Sequence, residues 1–332
     1  MKIKMFQELR LALVVAVSIV LVCVGFLIVI SEQRTGADPV TSPETISSVH
    51  VATVREDFFP VVESIRKVYE GIESLSFDGQ VDIRIFSGNS QTTGNGSIEY
   101  AAQNNRYRYE TTVPETLQQF GLMRDVETLY DGTKYYFFDK EARIVSFQGT
   151  EEVRLPNALP NPFFLQLDFL GNDDDQCTNC KMRLHDIKQS IRWPKRSSTI
   201  DVVSSTIENG VRHAVLEMEG GTVDDIEYKF RVRLVGSESD LRITEVSRLR
   251  LNGTPLVEVV FNDFRPVTNF SRPIPHRIEV AARNPDGSIA LTAIYSLMNF
   301  RMNDAAIGDS FAPTFSGAEK YWNSDTKSFV QN

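Results

Sequence analysis

Glu127-Thr-Leu-Tyr-Asp-Gly-Thr-Lys-Tyr-Tyr-Phe-Phe-Asp139 sets two short aromatic and aliphatic runs on either side of an Asp-Gly pair. Aromatic and β-branched side chains favour extended backbone. Gly132 can take the positive φ that a tight turn demands. The segment therefore predicts an antiparallel hairpin with arms at 127–130 and 134–138. Just upstream, Tyr107 and Tyr109 alternate with Arg106 and Arg108, which puts the tyrosines on one face of a strand and the arginines on the other.

Working outward, the same habit recurs. Phe77, Gly79, Val81, Ile83 and Ile85 alternate with Asp78, Gln80, Asp82 and Arg84, the pattern of a half-buried strand. Residues 199–206 and 211–219 flank Asn209-Gly210, while 275–283 and 288–300 flank Asn284-Pro-Asp-Gly287. About eleven strands are expected in all. Two segments have helical spacing. Phe58, Val61, Val62, Ile65, Val68, Tyr69, Ile72 and Leu75 recur at three- and four-residue steps, with Thr53 and Glu56 placed as a capping box. Phe163, Phe164, Leu165, Leu167, Phe169 and Leu170 follow a proline-rich break and end at Gly171, so this short helix is apolar nearly all round. The expected class is α+β, a large curved antiparallel sheet with helices on one face.

The N-terminus has a separate logic. Residues 11–30 form twenty positions without a charge, which at 1.5 Å per residue span roughly 30 Å, the thickness of a bilayer's hydrocarbon core. Lys2, Lys4 and Arg10 precede this run, so the positive-inside rule keeps 1–10 in the cytoplasm and exports the rest. The expected arrangement is a cytoplasmic N-terminus (1–10), a single-pass anchor (11–30), a flexible tether rich in Ser, Thr and Pro (31–52) and a folded exported domain (53–332).

The formal charge is −9, and the first thirty residues contribute +2 to it, leaving about −11 on the exported part. Such a body repels a phosphate backbone, and nucleic acid is not an expected partner. Cys177 and Cys180 stand in a C-x-x-C arrangement after Asp173, Asp174 and Asp175. A loop disulfide, free thiols, a zinc half-site and a redox pair all remain open from spacing alone. No nucleophile elbow, metalloprotease helix, phosphate loop or dinucleotide fingerprint occurs. No catalytic residue, metal site or cofactor is therefore assigned.

The 104–147 stretch, the Ser74–Val81 exit from the first helix and the closing Ile307-Gly-Asp-Ser-Phe311 together resemble the LolA/LolB-like superfamily of periplasmic lipoprotein carriers. The resemblance implies a half-barrel whose open side is plugged by helices, with an apolar cavity that takes acyl chains. On that reading Phe163, Phe164, Leu167, Phe169 and Leu170 form a lid on the concave face, and Tyr107, Tyr109, Leu129, Tyr135 and Phe137 line the wall. The implied partners are lipid or lipoprotein acyl chains, with a protein partner at the membrane a further candidate. The chain departs from the carrier in being tethered, and Gln103-Asn104 stands where the carrier has its lid-latching arginine. The expected function is lipid or lipoprotein binding in trafficking or sensing, at the inner membrane with the domain in the periplasm. The alternative is a regulatory, protein-binding module of the same fold with a filled core.

Overall fold

The computed structural model describes residues 71–88, 90–113, 117, 125–149, 200–223, 226–237, 240–284 and 286–330. They form β1 (Ser74–Ser87), β2 (Ser90–Gln103), β3 (Arg106–Thr112), β4 (Val126–Tyr130), β5 (Tyr135–Asp139), β6 (Ile144–Gln148), β7 (Ile200–Glu208), β8 (Val211–Val223), β9 (Ile226–Gly236), β10 (Arg242–Arg250), β11 (Pro255–Arg265), β12 (Ile274–Arg283), β13 (Ile289–Met302), β14 (Lys320–Asn323) and β15 (Ser328–Val330). All fifteen belong to one sheet, ordered β15-β14-β6-β5-β4-β3-β2-β1-β13-β12-β11-β10-β9-β8-β7. Two antiparallel meanders, β1 to β6 and β7 to β13, are joined where β1 pairs with β13 from Leu75↔Met302 to Ile85↔Leu291. The β14–β6 pair is parallel.

The α+β expectation is overturned. Among the described residues the chain is nearly all β in a single open sheet, with more strands than the expected eleven or so and no helix on a concave face. Outside the strands, the described residues include one 3-10 segment, Ala305–Phe311. The reason is visible at several points. Leu75 completes the three- and four-residue spacing of the first helix, yet it also stands two residues before Phe77. Its ladders to Ala102 and Met302 place it in β1. The Thr- and Gly-rich run 92–96 has weak strand composition but is carried as half of a long hairpin with β1. The strands at 320–330 are too short to stand out from periodicity.

The turns follow the expected chemistry. Asn209 and Gly210 both take positive φ, 53° and 78°, between β7 and β8. Gly132 has φ 101°, and Asp131 Oδ1 accepts from Thr133 N at 2.7 Å and Lys134 N at 2.8 Å, so the hairpin loop is held by its own aspartate. Gly79 marks a close approach in the centre of the sheet: a Cβ there would lie 2.8 Å from Leu297 Cδ2 and 2.9 Å from Ile98 Cγ1.

Two apolar clusters hold the sheet. The larger lies on one face and runs through both meanders, from Tyr135 and Val126 through Tyr109, Phe77 and Tyr295 to Val232 and Ala214. The smaller lies on the other face of the β1 to β6 half and contains Leu129, Phe138, Val145, Ile307, Phe311 and Phe315. The residues read as the first helix up to position 70, the short helix at 163–170, Cys177 with Cys180, and the segment 1–52 lie outside the described residues. No helix among the described residues is long and apolar enough to cross a membrane.

Candidate functional site

Register decides which side chains meet. Opposed residues of an antiparallel ladder share a face, and Tyr107 opposes Tyr130 while Tyr109 opposes Thr128. Tyr130 in turn opposes Tyr135, and Thr128 opposes Phe137. Tyr107, Tyr109, Tyr135 and Phe137 therefore share the large apolar face, and Tyr130 joins them. Leu129 does not. It opposes Arg108 and Tyr136, and it is buried in the smaller cluster on the opposite face.

The aromatic residues of the large face form two chains across strands. One runs through Phe300, Phe77, Tyr100 and Tyr109, with successive centroids 5.2, 5.3 and 6.3 Å apart. The other joins Tyr107 to Tyr130 at 6.5 Å and Tyr130 to Tyr135 in a stack at 4.3 Å. Burial pushes the Tyr109 hydroxyl well above its ordinary value, with Tyr295 adding to the effect, and burial also raises Tyr295. Both phenols stay protonated, so this part of the wall is neutral and apolar. Partly buried apolar residues, among them Ile85, Tyr130, Phe137, Tyr228, Phe264 and Phe300, pack against the cluster.

The opposite face of the same half is built differently. The chain after β13 crosses it as the 3-10 segment Ala305–Phe311, capped by Asp304, whose Oδ1 accepts from Ala306 N at 2.9 Å. Arg106 lies over the Phe311 ring at 4.8 Å, and Arg108 donates to Ser310 O at 3.2 Å and to Thr314 O at 3.0 Å. A cleft of about 500 Å³ opens beside it, lined by Arg108, Glu110, Glu127, Lys140, Phe138 and Phe315 among others. Glu127 is 3% exposed and is paired with Arg108, while Lys140 is paired with Glu110. Burial lifts the Glu127 carboxyl above the ordinary carboxylate range, and the Arg108 guanidinium draws it part of the way back. Register continues this acidic row sideways, Glu127 opposing Glu110, Glu110 opposing Glu99 and Glu99 opposing Asp78.

Tyr130 shares a face with Tyr107, Tyr109, Tyr135 and Phe137, and Leu129 lies on the opposite one. The Arg108–Glu127 pair depends on the register between β3 and β4, which alternation within one strand does not set. The ending Ile307-Gly-Asp-Ser-Phe311 packs its Ile307 and Phe311 into the smaller cluster.

No protein-family model matches the chain, and no curated protein sequence does. Solved structures do. A LolA superfamily protein from Nitrosomonas europaea is similar at 13% identity, covering 76% of this chain and 96% of that one, with a TM-score of 0.41. An outer membrane lipoprotein-sorting protein domain, so described, from Vibrio parahaemolyticus is similar at 11% identity over 74% and 92%, with a TM-score of 0.41. A DUF1329 family protein from Desulfovibrio piger is similar at 9% identity over 78% and 97%, with a TM-score of 0.44.

Proposed function

We propose that this chain is a membrane-anchored, periplasm-facing protein that binds the acyl chains of a lipid or lipoprotein against the large apolar face of its sheet. The observation that carries the reading is the extent of that face. Its buried cluster has members on eleven adjacent strands, from β5 through β1 and β13 to β8, which at about 4.8 Å per strand carries the apolar packing over roughly 50 Å of sheet. Partly buried aromatic and aliphatic residues pack against it. Removing an acyl chain of about sixteen carbons from a bilayer costs roughly 13 kcal/mol at 0.8 kcal/mol per CH₂. Only a surface able to bury nearly the whole chain offsets that. The face supplies apolar contact without ionised phenols, which suits binding rather than catalysis.

The test is native mass spectrometry of the full chain extracted from membranes in neutral detergent. Co-purifying lipid is expected in the wild type, with most of it lost in Phe137→Asp, on the described face, and in Leu167→Asp, in the segment read as a lid. A folded wild-type chain that carries and takes up no lipid overturns the reading and favours a protein-binding module with a filled core.

A further inference from the structure

We propose that the cleft on the face opposite the large apolar cluster is a second ligand site, which takes an uncharged polyhydroxyl compound of the sugar class. It holds about 500 Å³, within the roughly 300–1,000 Å³ of small-molecule sites and far more than a bare ion fills. Four pieces of chain build it. Arg108 and Glu110 come from β3, Glu127 from β4, and Phe138 with Lys140 from the end of β5 and the turn after it. Thr314, Phe315 and Ser316, from the chain that follows the 3-10 segment, close the remaining side.

The charges that line the cleft are already paired, Arg108 with Glu127 and Lys140 with Glu110. Arg108 also donates to Ser310 O and Thr314 O, so its guanidinium is committed to the wall. A charged ligand would have to take one partner out of such a pair, and a carboxylate as buried as Glu127 does not give up its cation without a large cost. A neutral ligand asks for no such exchange. What the pairs leave over is hydrogen-bonding capacity: an ammonium donates three hydrogen bonds and a carboxylate accepts about four, so a single contact exhausts neither. Glu110 and Lys140 combine that capacity with access, their side chains being 32% and 25% exposed. Exposed Thr314 and Ser316 add hydroxyls, which both donate and accept. Acceptor and donor thus stand side by side, the complement of a sugar's adjacent hydroxyls, one donating to Glu110 while its neighbour accepts from Lys140. Phe138 and Phe315, with ring centres 5.7 Å apart and planes inclined at 56°, supply an apolar wall for the C–H face of a pyranose ring.

The test is saturation-transfer NMR on the full chain in a polyoxyethylene detergent, which carries no sugar of its own. The probes are methyl α-glucoside, maltotriose and triacetylchitotriose, with glucuronate and glucosamine as the anionic and cationic counterparts. At least one neutral sugar is expected to bind with a millimolar dissociation constant, more tightly than either charged counterpart, and Lys140→Ala and Glu110→Ala should each weaken it about tenfold. Arg277→Gln, on the same face but in the other meander, and Phe137→Asp, on the large apolar face, should bind it as the wild type does. Response to the monosaccharide assigns a free sugar and response to the trisaccharides alone a glycan chain, and either carries the proposal. Preference for glucuronate or glucosamine overturns it in favour of a site for ions. Absence of any sugar response, or a response that survives both substitutions, overturns it outright. Because the two sites lie on opposite faces of the sheet, none of these results touches the acyl-binding reading. If Glu110→Ala fails to fold, Lys140→Ala alone decides.

Discussion

Glu127 shows how one position can carry both a structural cost and a measurable signature. It is almost fully buried, it pairs with Arg108, and its cross-strand neighbour is another carboxylate, Glu110. Like charges directly opposed on a ladder are destabilising, and the partly buried Glu99 is raised as well, first by burial and then by Glu110 and Asp78. A carboxyl whose folded pKa lies above its unfolded value makes the folded chain bind more protons than the unfolded chain in that interval. The stability it contributes is complete below the unfolded value of 4.5 and is lost as pH rises through the folded value. The wild type should therefore gain stability from this group as pH falls toward 4.5, and Glu127→Gln should flatten that part of the profile. Urea midpoints measured across the interval test this. An unchanged slope in Glu127→Gln would show that the group titrates normally.

At the scale of elements, the instructive case is the hairpin that fixes the fold. Its two arms and its Asp-Gly loop were legible, because Tyr135, Phe137 and the pair Leu129 and Tyr130 follow directly from β-propensity and turn chemistry. The face of each arm was not. Alternation assigns faces within a strand but not between strands, and the β3–β4 connection spans residues 113–125. There the register pairs an odd-numbered residue with an even-numbered one, Tyr107 with Tyr130, which sends Leu129 to the side of Arg108. Arg108 and Glu127 are covered, because the segment after β13 returns across them. Its short 3-10 turn and four-residue strand carry too little periodicity to announce that path. This strap makes its own prediction. Phe311 is 4% exposed, lies under Arg106 and shares a cluster with Leu129 and Phe315. Phe311→Ala should cost about 3–5 kcal/mol of stability, read from denaturant unfolding. A loss below about 1 kcal/mol would mean that the strap does not depend on this ring.

The whole molecule is organised around β1, the strand with which the described chain opens. It pairs on one side with β2, its neighbour in sequence, and on the other with β13, so that Leu75 meets Met302. Local hairpins can form in either meander without the other, whereas the β1–β13 seam closes a loop of more than two hundred residues and is entropically expensive until both meanders are in place. Once formed, it lies at the centre of the sheet, where β1 has seven strands on either side, with Phe77, Val81, Ile83 and Tyr295 all buried. The edges are the opposite. β15 is three residues long and fully exposed, with Phe329 at 59%, and β7 presents Val203 and Ile207 to solvent. Such edges open by local fluctuation, while a central seam opens only with the whole sheet. Native-state hydrogen exchange should therefore find the amides of β1 and β13 exchanging only through global unfolding, roughly a hundredfold or more slower than those of β7 and β15. If β7 instead proved as protected as β1, its free edge would have to be paired in solution with a further strand, and the sheet would be a template for association.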